Sequence, residues 1–489
     1  MSYKLQLLTI IVSINEVLMN EKSKSGIWKS IVNELKSVFT DFIKGDWKTK
    51  LSYVVFGAGN FLRGQIIRGF LWLSLECVFF WYMYNAGLYW IQMLPSLGNV
   101  GPMKVYNEFF DTYEYTYNDN SFQILLYGIL SIFFIVAFVI GWRLNIKDSL
   151  QNEATLKSGK KINSFKDDCK SLVDEKFYKT LLALPVTGIT VFTVLPIVFM
   201  IFVAFTNYDG THDGYITDLF HWVGFANFKA LFSTQGGNGS MAHTFGGILI
   251  WTLVWAFFAT FSNYFLGILV AMMINKKGII LKKLWRTILV LTIAVPQFIS
   301  LLYISKMFDK TGIINGWLLK WGVLSQAYDF WGNALSARIL VIVINIWIGV
   351  PFLMLMATGI LMNIPEDLYE AARIDGANPF QQFRYITMPY MLFITAPYLL
   401  TSFTGNMNNF NVIYLLTGGG PTNSAATSAQ GSVGYTDLLV TWLFKITTGT
   451  DSAYYMASVI GIIIFIVVAV ITLSVYNVLP SNKNEEGMM

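Results

Sequence analysis

Two long apolar stretches of this 489-residue chain carry uncharged polar residues at helical spacing. The spacing i, i+3, i+4, i+7 puts four residues of one stretch on a single helical face: Asn345, Ile348, Gly349 and Phe352. The other stretch repeats the pattern with Ser402, Gly405, Asn406 and Asn409. Amides and hydroxyls beside an aromatic ring suit a neutral, polyhydroxylated ligand such as an oligosaccharide, which offers no charge to complement. Helix packing is the alternative, because small and polar residues also join helices in lipid.

The composition places these residues in a membrane. Apolar residues make up 55% of the chain and charged residues 13%, which is about half the charge of a soluble protein. A helix needs about 20 apolar residues to cross the bilayer. Eight stretches meet this requirement, at residues 69–93, 121–142, 180–206, 244–274, 286–308, 337–362, 388–416 and 453–479. The sequence therefore predicts an all-α, polytopic membrane protein and disfavours a soluble multidomain enzyme.

The distribution of Lys and Arg predicts the orientation of the spans. With the N-terminus in the cytoplasm, all but seven of the 34 Lys and Arg residues fall on the inner side. Short loops rich in these residues remain cytoplasmic, so both termini are predicted to be cytoplasmic. The net charge of +5 then reflects topology and contact with membrane lipid, and no nucleic-acid partner is expected.

The spans lack the groups that an ion-driven carrier needs at the membrane centre. The interiors of the last three predicted spans hold no ionisable residue, and Glu76 in the first span is expected to accept hydrogen bonds within the fold. The three histidines are too widely spaced for a metal site; they are His212, His221 and His243. No nucleotide-binding loop of the form G-x-x-x-x-G-K-[ST] occurs. Energy for uphill transport would therefore enter through a partner.

Residues 363–389 form a polar loop with a defined predicted shape. Asn363 is expected to cap a short helix, and Gly376 is expected to end that helix in the left-handed conformation. Pro379 then starts a second helix, and Pro389 is expected to mark the return to the membrane. This compact shape suits a groove on another subunit. The alternative is an amphipathic loop lying at the membrane surface without a partner.

The loop resembles the EAA motif of permease subunits of binding-protein-dependent ABC importers. The matching residues are Glu370-Ala371-Ala372, Gly376 and Ile386-Thr387-Met388-Pro389, in which Met388 replaces the usual Leu. The resemblance covers most of residues 180–480 and is greatest to the MalF-type permeases of maltose and maltodextrin importers. Further matching segments are Pro296–Ser300, Asn345–Gly349, Asn408–Phe410, Leu415–Pro421 and Gly434–Leu439.

The resemblance implies roles for both sets of residues. The loop would couple the chain to an ATPase subunit through Glu370, Ala371, Ala372, Asp375, Gly376, Pro379 and Phe380. The sugar would be held midway across the membrane by Asn345, Ile348, Gly349, Phe352, Ser402, Gly405, Asn406 and Asn409. Phe352 stands where maltose members have Tyr, and Gly405 where they have Phe, so a similar site of altered shape is expected.

The resemblance also implies partners and a location. These are a second permease subunit of the MalG type, two ATPase subunits that bind ATP and Mg, and an extracellular sugar-binding protein. The chain itself is expected to hold no cofactor, to catalyse no reaction and to lie in the cytoplasmic membrane. Residues 207–243 are much shorter than the outer domain of enterobacterial members, which indicates a Gram-positive form.

The expected division of the chain has four parts. They are a cytoplasmic region at 1–66, two spans and a basic loop at 67–179, the permease domain at 180–480 and a cytoplasmic tail at 481–489. Two other functions remain alternatives at this stage. A secondary sugar carrier acting alone is disfavoured by the uncharged later spans, and a membrane glycosyltransferase by the scattering of the outer carboxylates.

Overall fold

A computed structural model describes residues 33–34, 36–235, 240–276, 278–426, 432–449 and 452–478. The predicted tail at 481–489 and about half of the predicted cytoplasmic region 1–66 lie outside these residues. The chain divides into two compact units. The first ends at Asn99 and resumes over Asn120–Phe199, and the second comprises Val100–Asp119 and the chain from Met200 onward.

All regular structure in the described residues of the first unit is helical. Residues 36–44 are helical, and six further helices follow: α1 Trp47–Leu51, α2 Ala58–Phe61, α3 Ile66–Met93, α4 Ser121–Lys157, α5 Phe165–Val173 and α6 Phe177–Val203. The boundary between the units falls within α6, after Phe199.

The second unit contains the remaining elements. A short antiparallel hairpin pairs β1 Met103–Asn107 with β2 Thr112–Thr116. The helices are α7 Ala226–Leu231, α8 Met241–Asn275, α9 Lys282–Ala294, α10 Gln297–Met307, α11 Ile313–Lys320, α12 Ala334–Leu361, α13 Glu366–Ile374, α14 Pro379–Met407, α15 Phe410–Thr417, α16 Leu439–Thr448 and α17 Tyr454–Val478. The hairpin is an addition to the all-α prediction.

Most of the long helices are membrane spans by length and composition. Within the described residues, seven helices can cross a membrane, and the bent pair α9–α10 makes an eighth if it is counted as one span. The two members of that pair meet at an angle of 91° around Pro296. The predicted all-α, polytopic fold is therefore confirmed, but the span expected at 286–308 is broken.

Buried polar contacts hold the first unit together. The Glu76 carboxylate accepts a hydrogen bond from the Phe56 N–H at 2.8 Å, as its structural interpretation required. Arg63 forms an ion pair with Asp46 at 2.6 Å and donates to the Ser149 hydroxyl at 2.8 Å. Part of the predicted cytoplasmic region is thus folded against the end of α4.

The core of the second unit contains two apolar clusters along α8 and α12. One includes Trp255 and Ala259 of α8 with Ile344 of α12. The other includes Tyr264 of α8 with Leu353 of α12. Both helices present apolar residues three and four positions apart, which places those residues on one face. Thr260 and Asn263 of α8 and Asn345 of α12 lie in the short interval between the clusters.

Candidate functional site

The residues predicted on α12 lie along one face of the helix, but they face two different surroundings, a cavity and α8. Ile348 and Phe352 line a cavity of about 310 Å³ together with residues at the bend between α9 and α10. Gly349 faces α8, because a Cβ built on it would lie 2.3 Å from Nδ2 of Asn263. Asn345, one turn earlier on the same face, is 6% exposed. The glycine therefore allows α8 and α12 to approach closely.

The cavity beside Phe352 also contains polar side chains from outside the predicted set. Gln297 and Ser300 lie on the first turn of α10, and Thr292 lies near the end of α9. The bend at Pro296 brings them opposite α12. Polar residues directly after a proline in an apolar stretch are the signal that could have identified them from the sequence.

The set predicted on the seventh span is divided by a break in the helix. α14 ends at Met407, and α15 begins at Phe410, so the predicted continuous span over 388–416 is wrong. Asn409 lies in the break and caps α15, where its Oδ1 accepts from the Val412 N–H at 3.3 Å. The Asn408 amide donates to the Thr404 carbonyl at 3.3 Å. Asparagine side chains compete for backbone hydrogen bonds in this way, which explains the interruption.

Ser402, Gly405 and Asn406 remain on α14, within its last turns. The Asn406 amide donates to the Thr260 hydroxyl of α8 at 3.0 Å, and its Oδ1 accepts from Nδ2 of Asn409 at 3.4 Å. Asn409 thus still meets Asn406, although it leaves the helical face that the spacing predicted. Thr260 and Asn406 are separated by 146 residues in the sequence.

α8 connects the two predicted sets, and the sequence analysis did not include it. Thr260 contacts Asn406 of α14, and Asn263, three residues later, contacts Gly349 of α12. We call Thr260, Asn263, Asn345 and Asn406 the polar band. α8 contains no Asp, Glu, Lys or Arg, so the α8 part of the band is uncharged. Two hydroxyl or amide residues three apart on an apolar helix were the available signal.

An aromatic contact also joins α12 to α14. The rings of Phe352 and Tyr398 lie 6.4 Å apart between centroids, at an interplanar angle of 37°. Tyr398 is one turn before Ser402 on the same face of α14. A phenol is thereby placed near Phe352.

Two buried atoms of the polar band have no hydrogen-bond partner among the described residues. They are Oδ1 of Asn263 and Nδ2 of Asn345. The Asn263 side chain is oriented by its Nδ2, which donates to the Ala259 carbonyl at 2.8 Å. Buried polar atoms are nearly always paired in proteins, so these two atoms are available for a further hydrogen-bond partner.

The loop at 363–389, which we call the coupling loop, has the predicted helix, glycine and helix. Gly376 adopts φ +79°, and its N–H donates to the Arg373 carbonyl. Asn378 and Gln381 form a reciprocal cap on the second helix. The first helix is capped at Pro365 without a side-chain bond, so the capping role predicted for Asn363 is wrong.

The second helix of the coupling loop continues into the membrane. α14 runs without interruption from Pro379 to Met407 and contains one π-helical turn over Phe383–Thr387. Pro389 therefore lies inside this helix and does not separate the loop from the span. Pro389 is the second residue after the π-turn, where the change from π-helical to α-helical bonding makes a missing N–H tolerable.

The residues predicted to couple the chain to an ATPase subunit lie mostly on the surface. Ile374 is 87% exposed and Phe380 is 67% exposed. Of the predicted coupling residues, only Ala372 is half-buried, and the exposed members are Glu370, Ala371, Asp375, Gly376, Pro379 and Phe380. The Tyr369 and Thr387 hydroxyls hydrogen-bond at 2.9 Å and hold the two helices of the loop together.

The loop between α15 and α16 is held by a partly buried ion pair. Nζ of Lys445 lies 2.7 Å from the Asp437 carboxylate, which is fully buried and also accepts from the Gly434 N–H. Burial raises the pKa of Asp437 despite this lysine. Residues 427–431 of this loop lie outside the described part of the chain.

Comparison with known proteins identifies the family. Residues 263–483 match the family model described as the binding-protein-dependent transport system inner membrane component. The chain is 33% identical over 453 residues to the maltodextrin transport system permease protein MdxF of Bacillus subtilis, covering 90% of this chain and 97% of that protein. It is also 33% identical over 437 residues to the galactooligosaccharides transport system permease protein GanP of the same organism, with coverages of 88% and 97%.

The chain belongs to the permease subunits of binding-protein-dependent oligosaccharide ABC importers. It is a multi-pass membrane protein. A crystal structure of a bacterial ABC transporter involved in the import of the acidic polysaccharide alginate aligns with a TM-score of 0.50 and 21% identity, covering 63% of this chain and 96% of that one. That similarity shows a shared fold. The matches to the family model and to the curated permeases confirm the predicted resemblance to MalF-type permeases.

Proposed function

We propose that this permease carries a maltodextrin-like oligosaccharide through the polar band and the neighbouring cavity at Phe352. The observation that carries the proposal is an uncharged set of amides and hydroxyls enclosed between two apolar clusters. Such a site can replace the hydrogen bonds that a neutral sugar makes to water, whereas an ion would lose its hydration without compensation.

The partners and the energy source follow from the family. The chain would pair with a second permease, two ATPase subunits and an extracellular sugar-binding protein in the cytoplasmic membrane, with both of its own termini inside. ATP and Mg would be bound by the ATPases, and this chain would hold no cofactor and catalyse no reaction. The exposed Ile374 and Phe380 of the coupling loop give it an apolar surface that a groove on an ATPase subunit could cover.

The mechanism would be alternating access. Closure of the ATPases would move the coupling loop, and α14 would transmit that movement because it is one helix from Pro379 to Met407. Asn406 lies near the far end of α14 and is tied to α8 through Thr260. A shift of the loop would therefore change the distance between the walls of the site.

Substituting Asn406 tests the site. In the assembled importer, Asn406→Ala should lower sugar uptake about tenfold, because amide hydrogen bonds to the sugar and to Thr260 are lost. Basal ATPase activity should be unchanged. Asn408→Ala is the matched control, since Asn408 is exposed and bonds only within its own turn. Normal uptake by a correctly inserted Asn406→Ala variant would refute the assignment.

The saccharide is tested separately. The similarity to a galactooligosaccharide permease makes a β-linked galactoside the alternative cargo. Vesicles containing the complete importer should accumulate maltotriose in preference to a galactotriose of equal length. The reverse preference would reject maltodextrin and retain the oligosaccharide site.

A further inference from the structure

α8 and α12 face each other with one unsatisfied amide atom each. Oδ1 of Asn263 and Nδ2 of Asn345 have no hydrogen-bond partner among the described residues, and the two side chains are 7% and 6% exposed. Asn263 contacts Gly349, which lies one turn from Asn345 on the same face of α12. The two residues therefore lie along the same stretch of the contact between α8 and α12.

The orientation of the Asn263 amide is determined by its surroundings. Its Nδ2 donates to the Ala259 carbonyl at 2.8 Å, and a carbonyl oxygen cannot donate in return. The other end of the amide must therefore be the oxygen. Reversal of the amide would oppose two oxygens and lose this bond, so the unsatisfied atom of Asn263 is an acceptor.

The two atoms are chemically complementary to a single hydroxyl group. Oδ1 of Asn263 accepts one hydrogen bond, and Nδ2 of Asn345 donates one. A hydroxyl can donate to the first and accept from the second at the same time. A carboxylate could not donate to Oδ1, and an ammonium could not accept from Nδ2. A water molecule could form the same two hydrogen bonds, so the experiment below measures the contribution of the sugar hydroxyl itself.

We propose that Asn263 and Asn345 together bind one sugar hydroxyl between α8 and α12. α8 then forms a third wall of the transport site, beside the walls from α12 and α14, and Asn263 is a substrate-contacting residue. The proposal rests on the proposed function, because it requires an oligosaccharide in the membrane. In the conformation described here the two helices are closed around these atoms, so the hydroxyl enters when the helices separate.

Monodeoxy sugars test this inference. Uptake of maltotriose and of a panel of its monodeoxy analogues is measured in vesicles containing the complete importer and its binding protein. For the unmodified importer, removing the bridging hydroxyl should lower the uptake efficiency roughly three- to tenfold. In Asn263→Leu, that analogue and maltotriose should be taken up with the same efficiency, whereas the effects of the other deoxy positions remain. The same binding protein is used with every importer variant. Its own preference among the sugars is therefore the same in each and does not contribute to the differences between variants.

Two further variants make the experiment decisive. Asn345→Leu should lose sensitivity to the same deoxy position as Asn263→Leu, since both residues bind the same group. Thr252→Val on α8 is the matched control: Thr252 is also buried, but its hydroxyl is satisfied by Ile248 and Leu439, so the deoxy profile should not change. If Asn263→Leu does not assemble, Asn263→Ala replaces it, because the smaller side chain cannot overpack the contact with Gly349.

The outcomes separate this inference from the proposed function. Maltotriose uptake with an unchanged deoxy profile in every folded Asn263 variant would overturn the hydroxyl subsite and leave the sugar site intact. Loss of sensitivity at different positions in Asn263→Leu and Asn345→Leu would also overturn it. Absence of maltotriose uptake by the unmodified importer would instead reject the maltodextrin assignment.

Discussion

The coupling loop and the polar band are held in opposite ways. The coupling loop is built from consecutive residues, and its shape depends on Gly376, on the cap at Asn378 and on one hydroxyl contact between its helices. The polar band is built from three helices, and its closest contact joins Asn406 to Thr260 across 146 residues. The loop is exposed, whereas the band is enclosed between apolar clusters.

The difference indicates how each region can change during transport. The coupling loop keeps its local shape, so it can transmit force as one body through α14. The polar band depends on the spacing of α8, α12 and α14, so a small movement of any one helix alters its hydrogen bonds. Under the proposed alternating-access mechanism, the coupling loop would act as a rigid transmitter joined to an adjustable site.

Replacing Gly376 should have the largest effect, because it disrupts the fixed shape of the coupling loop. Proline fixes φ near −65°, whereas Gly376 has φ +79° and donates a backbone hydrogen bond. The cost should be about 3 kcal/mol or more, and Gly376→Pro should abolish sugar-stimulated ATPase activity or copurification of the ATPase.

The matched control is Gly376→Ala. No atom lies within 4 Å of a Cβ built at this position, so only the left-handed conformation is penalised, by about 1–2 kcal/mol. Partial coupling is expected for this variant. Unchanged transport in Gly376→Pro would show that the coupling loop does not transmit movement.

Gly349→Ala should have the next largest effect, and it changes the packing of the helices around the polar band. Its Cβ would approach Nδ2 of Asn263 to 2.3 Å, so α8 and α12 must separate at an expected cost of about 1–3 kcal/mol. Maltotriose uptake by the importer should fall, and the thermal unfolding temperature should decrease.

A second substitution identifies the cause of this loss. Adding Asn263→Ala to Gly349→Ala removes the side chain that clashes with the new Cβ. The unfolding temperature should therefore recover even if uptake does not. Failure of the unfolding temperature to recover would mean that Gly349 is required for a reason other than the close contact with α8.

Tyr369→Phe should have the smallest effect. It removes the 2.9 Å hydrogen bond to Thr387 while keeping the ring, which should cost about 1 kcal/mol. We expect a slight decrease in sugar-stimulated ATPase activity without loss of assembly. Tyr385→Phe, at an exposed ring of the same loop, should match the unmodified protein. A large loss in Tyr369→Phe would mean that the loop is less rigid than its backbone contacts indicate.

Local sequence patterns predicted the coupling loop almost completely. Gly376 and Pro379 occupy the expected positions, because a left-handed residue and a helix start depend on neighbouring residues alone. The expected cap at Asn363 was wrong, because the N-cap residue is Pro365, two residues later, and the helix begins at Glu366. The break after Met407 was also missed, since asparagine capping of α15 outweighed the apolar pattern that suggested a single span.

The sequence by itself determined the membrane-spanning helices and the form of the coupling loop, because both follow from the order of neighbouring residues in lipid and water. Only the tertiary structure decided that α8 joins the two predicted polar sets and that Gly349 lies against Asn263. Contacts between residues far apart in the chain depend on how whole helices pack. That packing is set by the combined apolar contacts of the helices, which the spacing along any one of them does not specify.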